Sequence, residues 1–333
     1  MSRNMRGLNS SLLVGFAVLA GILVLSSAEG AQADWTSNFA TGMHRPANLP
    51  ADFGITPFGY FHPSCVLPLA EGETLLADGS IERTDGTTEA AASCSYPHYT
   101  LTGELVAADA TAPGAIDAIN YGWLEYVSAT TRTSYGKMST TWVVPPAPKS
   151  EDQQIILLFS GFEDKNNVVS MLEPVLQFGP TTAGGGNFWA MASWNCCING
   201  VTRNSPLMGV NPGDTVVGTI SPTCKSGKGC ATWNVVSDDK TTKQTTTLSK
   251  TPAEGQVWNW ATGASILPWD FVQCSDYPAN TGVTFTVQLF DQDLKLIENP
   301  GWVGTPAGKN VKPKCGFGLK VTSTKERLEY SAH

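Results

Sequence analysis

The stretch Val283-Thr-Phe-Thr-Val-Gln-Leu-Phe290 alternates apolar and polar residues, so Val283, Phe285, Val287 and Leu289 fall on one side of an extended chain. Its neighbours repeat the theme. Ser139-Thr-Thr-Trp-Val-Val144 ends at Pro145-Pro146, and a continuous apolar run lies between Gln154 and Ser160. Further extended segments run from Val168 to Phe178 and, after the triple glycine at 184–186, from Asn187 to Cys196. Asn211-Pro-Gly-Asp214 turns into Thr215-Val-Val-Gly-Thr-Ile220, and Asp238-Asp239-Lys240 separates Ala231–Val236 from Gln244–Leu248. No helical pattern of about 10–15 residues intervenes, which excludes a parallel α/β sheet. The expected fold is all-β, an antiparallel two-sheet β-sandwich with one face of each sheet solvated.

Composition agrees. The 333 residues are 41% hydrophobic and only 15% charged, against about 25% charged in ordinary soluble domains. That balance disfavours helical bundles and coiled coils, and the ample apolar surface disfavours disorder. With 21 basic against 29 acidic residues the formal charge is −8, so no nucleic-acid partner is expected.

Arg3 and Arg6 precede an apolar run from Leu12 to Leu25, and Ala31-Gln32-Ala33 supplies a small-x-small cleavage site. The run falls short of the roughly 20 residues that a membrane anchor needs. Residues 1–33 are therefore expected to be a signal peptide, with no stable membrane insertion after cleavage and a secreted product, extracellular or in the cell wall. Pro46, Pro50, Pro57, Pro63, Pro68 and Pro97 break up the next stretch. Residues 34–130 are accordingly expected to be an irregular N-terminal or pro-segment, with a short helix or linker across 113–127. The β-sandwich domain is expected over 131–333.

All eight cysteines, Cys65, Cys94, Cys196, Cys197, Cys224, Cys230, Cys274 and Cys315, follow the expected cleavage site. An even number in an exported chain points to disulfides. Proximity suggests Cys65–Cys94 and Cys274–Cys315, leaving the other four to pair among themselves. Adjacent residues of a strand point to opposite faces, so Cys196 and Cys197 are expected to have different partners. The chain has no CxxC, HExxH, GxSxG or P-loop pattern, and its acidic pairs fall at expected turns. No metal and no cofactor are assigned.

Eight of the ten tryptophans fall between residues 139 and 302. Tryptophan fills cores, and it also lines clefts that hold peptide or sugar. On the strand around Val175, residues Met171, Glu173, Val175 and Gln177 share one face. A carboxyl and an amide on one face can bind and polarise a carbonyl.

Several segments carry a family resemblance: Thr141-Trp-Val-Val-Pro145, Pro174-Val-Leu-Gln-Phe-Gly179, Phe188-Trp-Ala-Met-Ala-Ser-Trp194, the 211–220 segment, Ala231-Thr-Trp233 and Cys274-Ser-Asp-Tyr-Pro278. In this order they resemble the glutamic peptidases (eqolisins, or scytalidoglutamic peptidase-like proteins) over roughly residues 139–290. The resemblance implies a sandwich of the concanavalin A-like lectin/glucanase kind. It also implies a peptide or protein substrate cleaved at acid pH by a glutamine and a glutamate. The glutamate acts as general base and then acid, and the glutamine stabilises the oxyanion.

The glutamine falls on Gln177. The position of the glutamate holds Leu267, and a second acidic position holds Ser193. Catalysis would then need a substituted carboxylate, for which Glu173 and Asp270 are the candidates. Asp270 requires a bulge near Pro268 to re-aim it. Trp142, Trp189, Ser193 and Trp194 are the candidate substrate-binding residues. The alternative is an inactive sandwich that holds peptide or glycan in a tryptophan-lined groove. If the chain is a zymogen, the N-terminal segment masks the cleft and loosens on acidification, where His44, His62 and His98 gain charge.

Overall fold

The computed structural model describes residues 45–333 except 77, 102, 107–122, 166–170, 198–199, 254 and 309–310. The expected signal peptide, His44 and most of the expected 113–127 helix or linker lie outside these residues. Two antiparallel sheets stack on each other. The smaller, of seven strands, runs from Gln244–Pro252 through Thr232–Asp239, Thr215–Pro222, Tyr135–Val143, Gly282–Asp291 and Lys325–Glu329 to Gly318–Val321. The alternation at 283–289 is realised here: Val283, Phe285, Val287 and Leu289 enter the core and the intervening residues are exposed.

The larger sheet, of nine strands, has at its centre Trp260–Trp269, Ile155–Glu163, Met171–Thr181 and Gly184–Cys196. Glu125–Thr130 also belongs to it, so the sandwich begins before residue 131 and the end of the expected linker is strand. Strand ends shift from expectation by a few residues, as hydrogen-bond ladders run past the turn residues.

Core residues of both sheets meet between them, among them Trp142, Phe285, Leu172, Leu176, Trp233 and Trp258. Close approach is specified at Gly218, where a Cβ would come within 2.4 Å of Pro174 on the facing sheet. The second face of the larger sheet is not solvated. Ile155–Glu163 and Trp260–Trp269 are buried at every position, the signature of strands covered on both sides.

The cover is the N-terminal segment. It forms two small sheets of two- and three-residue strands, plus Val66–Pro68, which pairs in parallel with Thr202–Asn204 at the edge of the larger sheet. Leu49, Phe53, Ile55, Phe58, Tyr60, Phe61 and Leu101 of this segment pack on Leu157, Phe159, Val175, Trp194, Leu267 and Trp269. Among the described residues no helix is long and apolar enough to cross a membrane.

The eight cysteines form four disulfides: Cys65–Cys94, Cys196–Cys197, Cys224–Cys230 and Cys274–Cys315. The first and last match expectation. The adjacent cysteines do not have separate partners; they bond to each other. The strand ends at Cys196, so the alternation of faces that separates neighbours within a strand no longer applies.

Replacing Gly218 by valine should destabilise the sandwich by about 1–3 kcal/mol, the usual cost of overpacking, read as a lower midpoint in urea unfolding. An unchanged midpoint would show that Pro174 yields freely.

Candidate functional site

The covered face of the larger sheet carries the polar residues singled out above. On Met171–Thr181, Leu172, Leu176 and Phe178 point between the sheets, while Met171 and Val175 point to the covered face. Glu173 and Gln177 share the parity of the latter pair.

Gln177 is fully engaged. Its Nε2 donates to the carbonyls of Gly179 at 3.1 Å and Gly184 at 2.9 Å, and its Oε1 accepts from Thr181 Oγ1 at 3.1 Å. Gly185 makes room for this arrangement: it has φ +106°, and a Cβ there would lie 2.5 Å from Gln177 Nε2. Register places Ala190 beside Gln177 on one side and Leu157 on the other, with Leu267 beyond Leu157. The position two strands across from the amide is therefore leucine.

Glu173 pairs across strands with Trp194 and lies next to Gly161, where a Cβ would come within 2.9 Å of its Cγ. Its Oε2 has no hydrogen-bond partner among the described residues. Burial, reinforced by Glu163, holds its carboxyl well above the ordinary glutamate range. Four residues along a strand is about 13 Å, so Glu173 and Gln177 cannot flank one carbonyl. Glu163 was not foreseen as part of this face. It sits between Met171 and Trp260 in register, and burial pushes it up to about 8, with Lys165 opposing and Asp164 assisting.

Asp270 follows the end of the Leu267 strand in the left-handed region, φ 55°, and its charge acts on the Tyr60 hydroxyl of the cover. The register irregularity in that strand lies between Thr262 and Ala264, not at Pro268.

Of the residues expected to bind substrate, only Trp194 is on this face, against Phe58 of the cover. Trp142 and Trp189 are in the core between the sheets. Ser193 also points inward, its Oγ 3.0 Å from Ser237 Oγ of the facing sheet. Parity along Trp189–Trp194 separates them: residues 189 and 193 share one face and 194 takes the other. Trp269, which joins Trp194 on the covered face, was missed; its parity with Leu267 was the available signal.

No protein-family profile matches this sequence, and no curated protein matches it. Similar solved structures include scytalido-glutamic peptidase with a peptide-based transition state analog, at 14% identity and TM-score 0.44, covering 63% of this chain and 98% of that one. Another is SCP-B, a member of the eqolisin family, in a complex with the tripeptide Ala-Ile-His, at 14% identity, TM-score 0.43 and the same coverages. The aspergilloglutamic peptidase from Aspergillus niger matches at 15% identity and TM-score 0.37, over 53% of this chain and 98% of that one.

The buried carboxyls set a pH dependence. Glu125 and Glu326 are raised by burial to about 8, like Glu163, and Glu173 is raised as well. In the unfolded chain these groups ionise near 4.5, so between pH 4.5 and 8 the folded form holds more protons. Stability therefore falls as pH rises through that window, by about 1.4 kcal/mol per unit and group. Below it the trend reverses, because Glu73 hydrogen-bonded to Arg83, and Glu329 to Lys320, are held below their ordinary range. Melting temperature should peak near pH 4.5, and Glu163→Gln should flatten the fall toward pH 8. A profile flat across the window would contradict neutral buried carboxyls.

The cover responds with the opposite sign. His98 stacks on Phe61 at 4.6 Å and burial lowers its pKa from 6.5 to about 4. Its share of stability is lost as pH falls from 6.5 toward 4. Wild-type protein near pH 4 should be nicked by pepsin within residues 45–101, and His98→Phe should resist. Equal nicking of the two would remove His98 from the response.

Proposed function

We propose that this chain is an exported protein of the glutamic-peptidase type that holds peptide on the Gln177 face without cleaving it. The observation that carries the proposal is the surroundings of Gln177. An oxyanion donor needs a free N–H and a nearby base for water. Here both amide hydrogens of Gln177 go to backbone carbonyls, and the flanking positions in register are Ala190, Leu157 and Leu267. The aliphatic and aromatic surface that such a face would offer a peptide is occupied by the chain's own residues 49–61. Export rests on the leader-like sequence at 1–33 and on the four disulfides, which form in oxidising compartments.

A second reading is an acid-acting endopeptidase in which Gln177 acts with Glu173 or Asp270. It is favoured by the Glu173 carboxyl, raised by burial and with one oxygen unpartnered as in a general acid. It requires Glu173 and Gln177 to come closer than the roughly 13 Å that separates them along the strand. Incubation of the secreted protein with denatured casein from about pH 2 to 7, with pepstatin present, separates the two. No fragments are expected at any pH. Cleavage that Gln177→Ala lowers by about 10²–10³-fold would establish the peptidase instead.

A further inference from the structure

Thr56-Pro57-Phe58-Gly59 closes a hairpin between Gly54–Thr56 and Gly59–Phe61, and this hairpin is the part of the cover seated over Trp194 and Trp269. Its turn is set locally: Thr56 Oγ1 accepts from Phe58 N at 3.1 Å and donates to Gly59 O at 2.9 Å. The sheet holds the hairpin by a main-chain bond, Thr182 N to Ile55 O at 3.0 Å, and by aromatic contact. Phe58 meets Trp194 edge-to-face with ring centroids 6.2 Å apart, and Tyr60 meets Trp269 in the same way at 5.5 Å. Phe58 and Tyr60 are each 1% exposed, so both rings are enclosed.

We propose that this face recognises an extended peptide carrying aromatic side chains, with Trp194 and Trp269 as its two aromatic sites, and that the Phe58–Tyr60 hairpin is its resident ligand. The proposal rests on the peptide-binding reading above and adds the class of peptide. Edge-to-face contact is specific to rings: an aliphatic side chain of similar bulk fills the space and lacks the quadrupolar match. The spacing is also peptide-like. Residues 58 and 60 are two apart across the Gly59 turn, where φ is +120° and a Cβ would lie 2.1 Å from Tyr99 O. The glycine is required by the neighbouring strand of the cover, which Tyr99 belongs to, and not by the tryptophan face.

The test uses the full chain with Phe58→Ala and Tyr60→Ala, which empties both aromatic sites and leaves the rest of the cover. Two labelled peptides are titrated by fluorescence anisotropy: the sequence of residues 54–61, and the same sequence with its phenylalanines and tyrosine replaced by alanine. The double variant should bind the aromatic peptide about tenfold or more tighter than the alanine peptide, and Trp194→Leu added to it should shrink that difference. Wild type, with its own hairpin seated, should bind neither. Equal binding of both peptides by the double variant overturns the aromatic specificity and leaves the peptide-binding reading standing. Binding of neither overturns both. Should the double variant lack a cooperative melt, Phe58→Ala alone, which empties the Trp194 site and keeps Tyr60 in place, is titrated instead, and the same three outcomes decide.

Discussion

The central strands of the larger sheet are apolar on both faces, and the architecture follows from that. A strand such as Ile155–Glu163, buried along its whole length, cannot be left with one side in water. At roughly 25 cal/mol per Å² of apolar surface, exposing Leu157, Phe159, Leu267 and Trp269 would cost more than a domain's usual margin of about 5–15 kcal/mol can readily absorb. The smaller sheet covers one face and the N-terminal segment covers the other. The short strands of the cover would not persist alone. They persist because Phe58, Tyr60 and Phe61 have a surface to bury themselves on.

Much of this was legible in the sequence. The alternation at 283–289 marked the half-solvated strand, and the Ile-Ile-Leu-Leu-Phe run marked a buried one. Its implication, a second layer over the outer face, needed the structure, because a continuous apolar run does not say what covers it. Parity gave Gln177 and Glu173 a common face correctly. The same rule, applied along 189–194, separates Trp194 from Trp189 and Ser193, which tryptophan content and the family resemblance group together. Disulfide pairing was legible for Cys65–Cys94 and Cys274–Cys315, where proximity and strand layout single out the partner. It failed at Cys196-Cys197, because the strand rule stops at the end of a strand.

Glu125, Glu163, Glu173 and Glu326 sit in apolar surroundings, and Glu163 and Glu173 lie beneath the cover. Periodicity could not flag them, since a glutamate at a buried parity position looks like a strand-end or bulge residue. Their neutrality is the condition for burial in such surroundings. The sheet is thereby suited to acid, while half-buried His98 makes the cover less so. One change in pH acts on the two layers with opposite sign.

Val66–Pro68 is stitched into the edge of the larger sheet only a few residues after the hairpin that ends at Phe61. The hairpin is therefore a leashed competitor. When it lifts away it remains at an effective concentration in the millimolar range or above, as short tethers impose. A free peptide must outcompete that local supply by affinity, by abundance, or after the leash is cut. Occupancy of the face is thus a question of mass action within one molecule, and scission of the chain between Phe61 and Cys65, ahead of the Cys65–Cys94 bridge, would alter it without any change in the face itself.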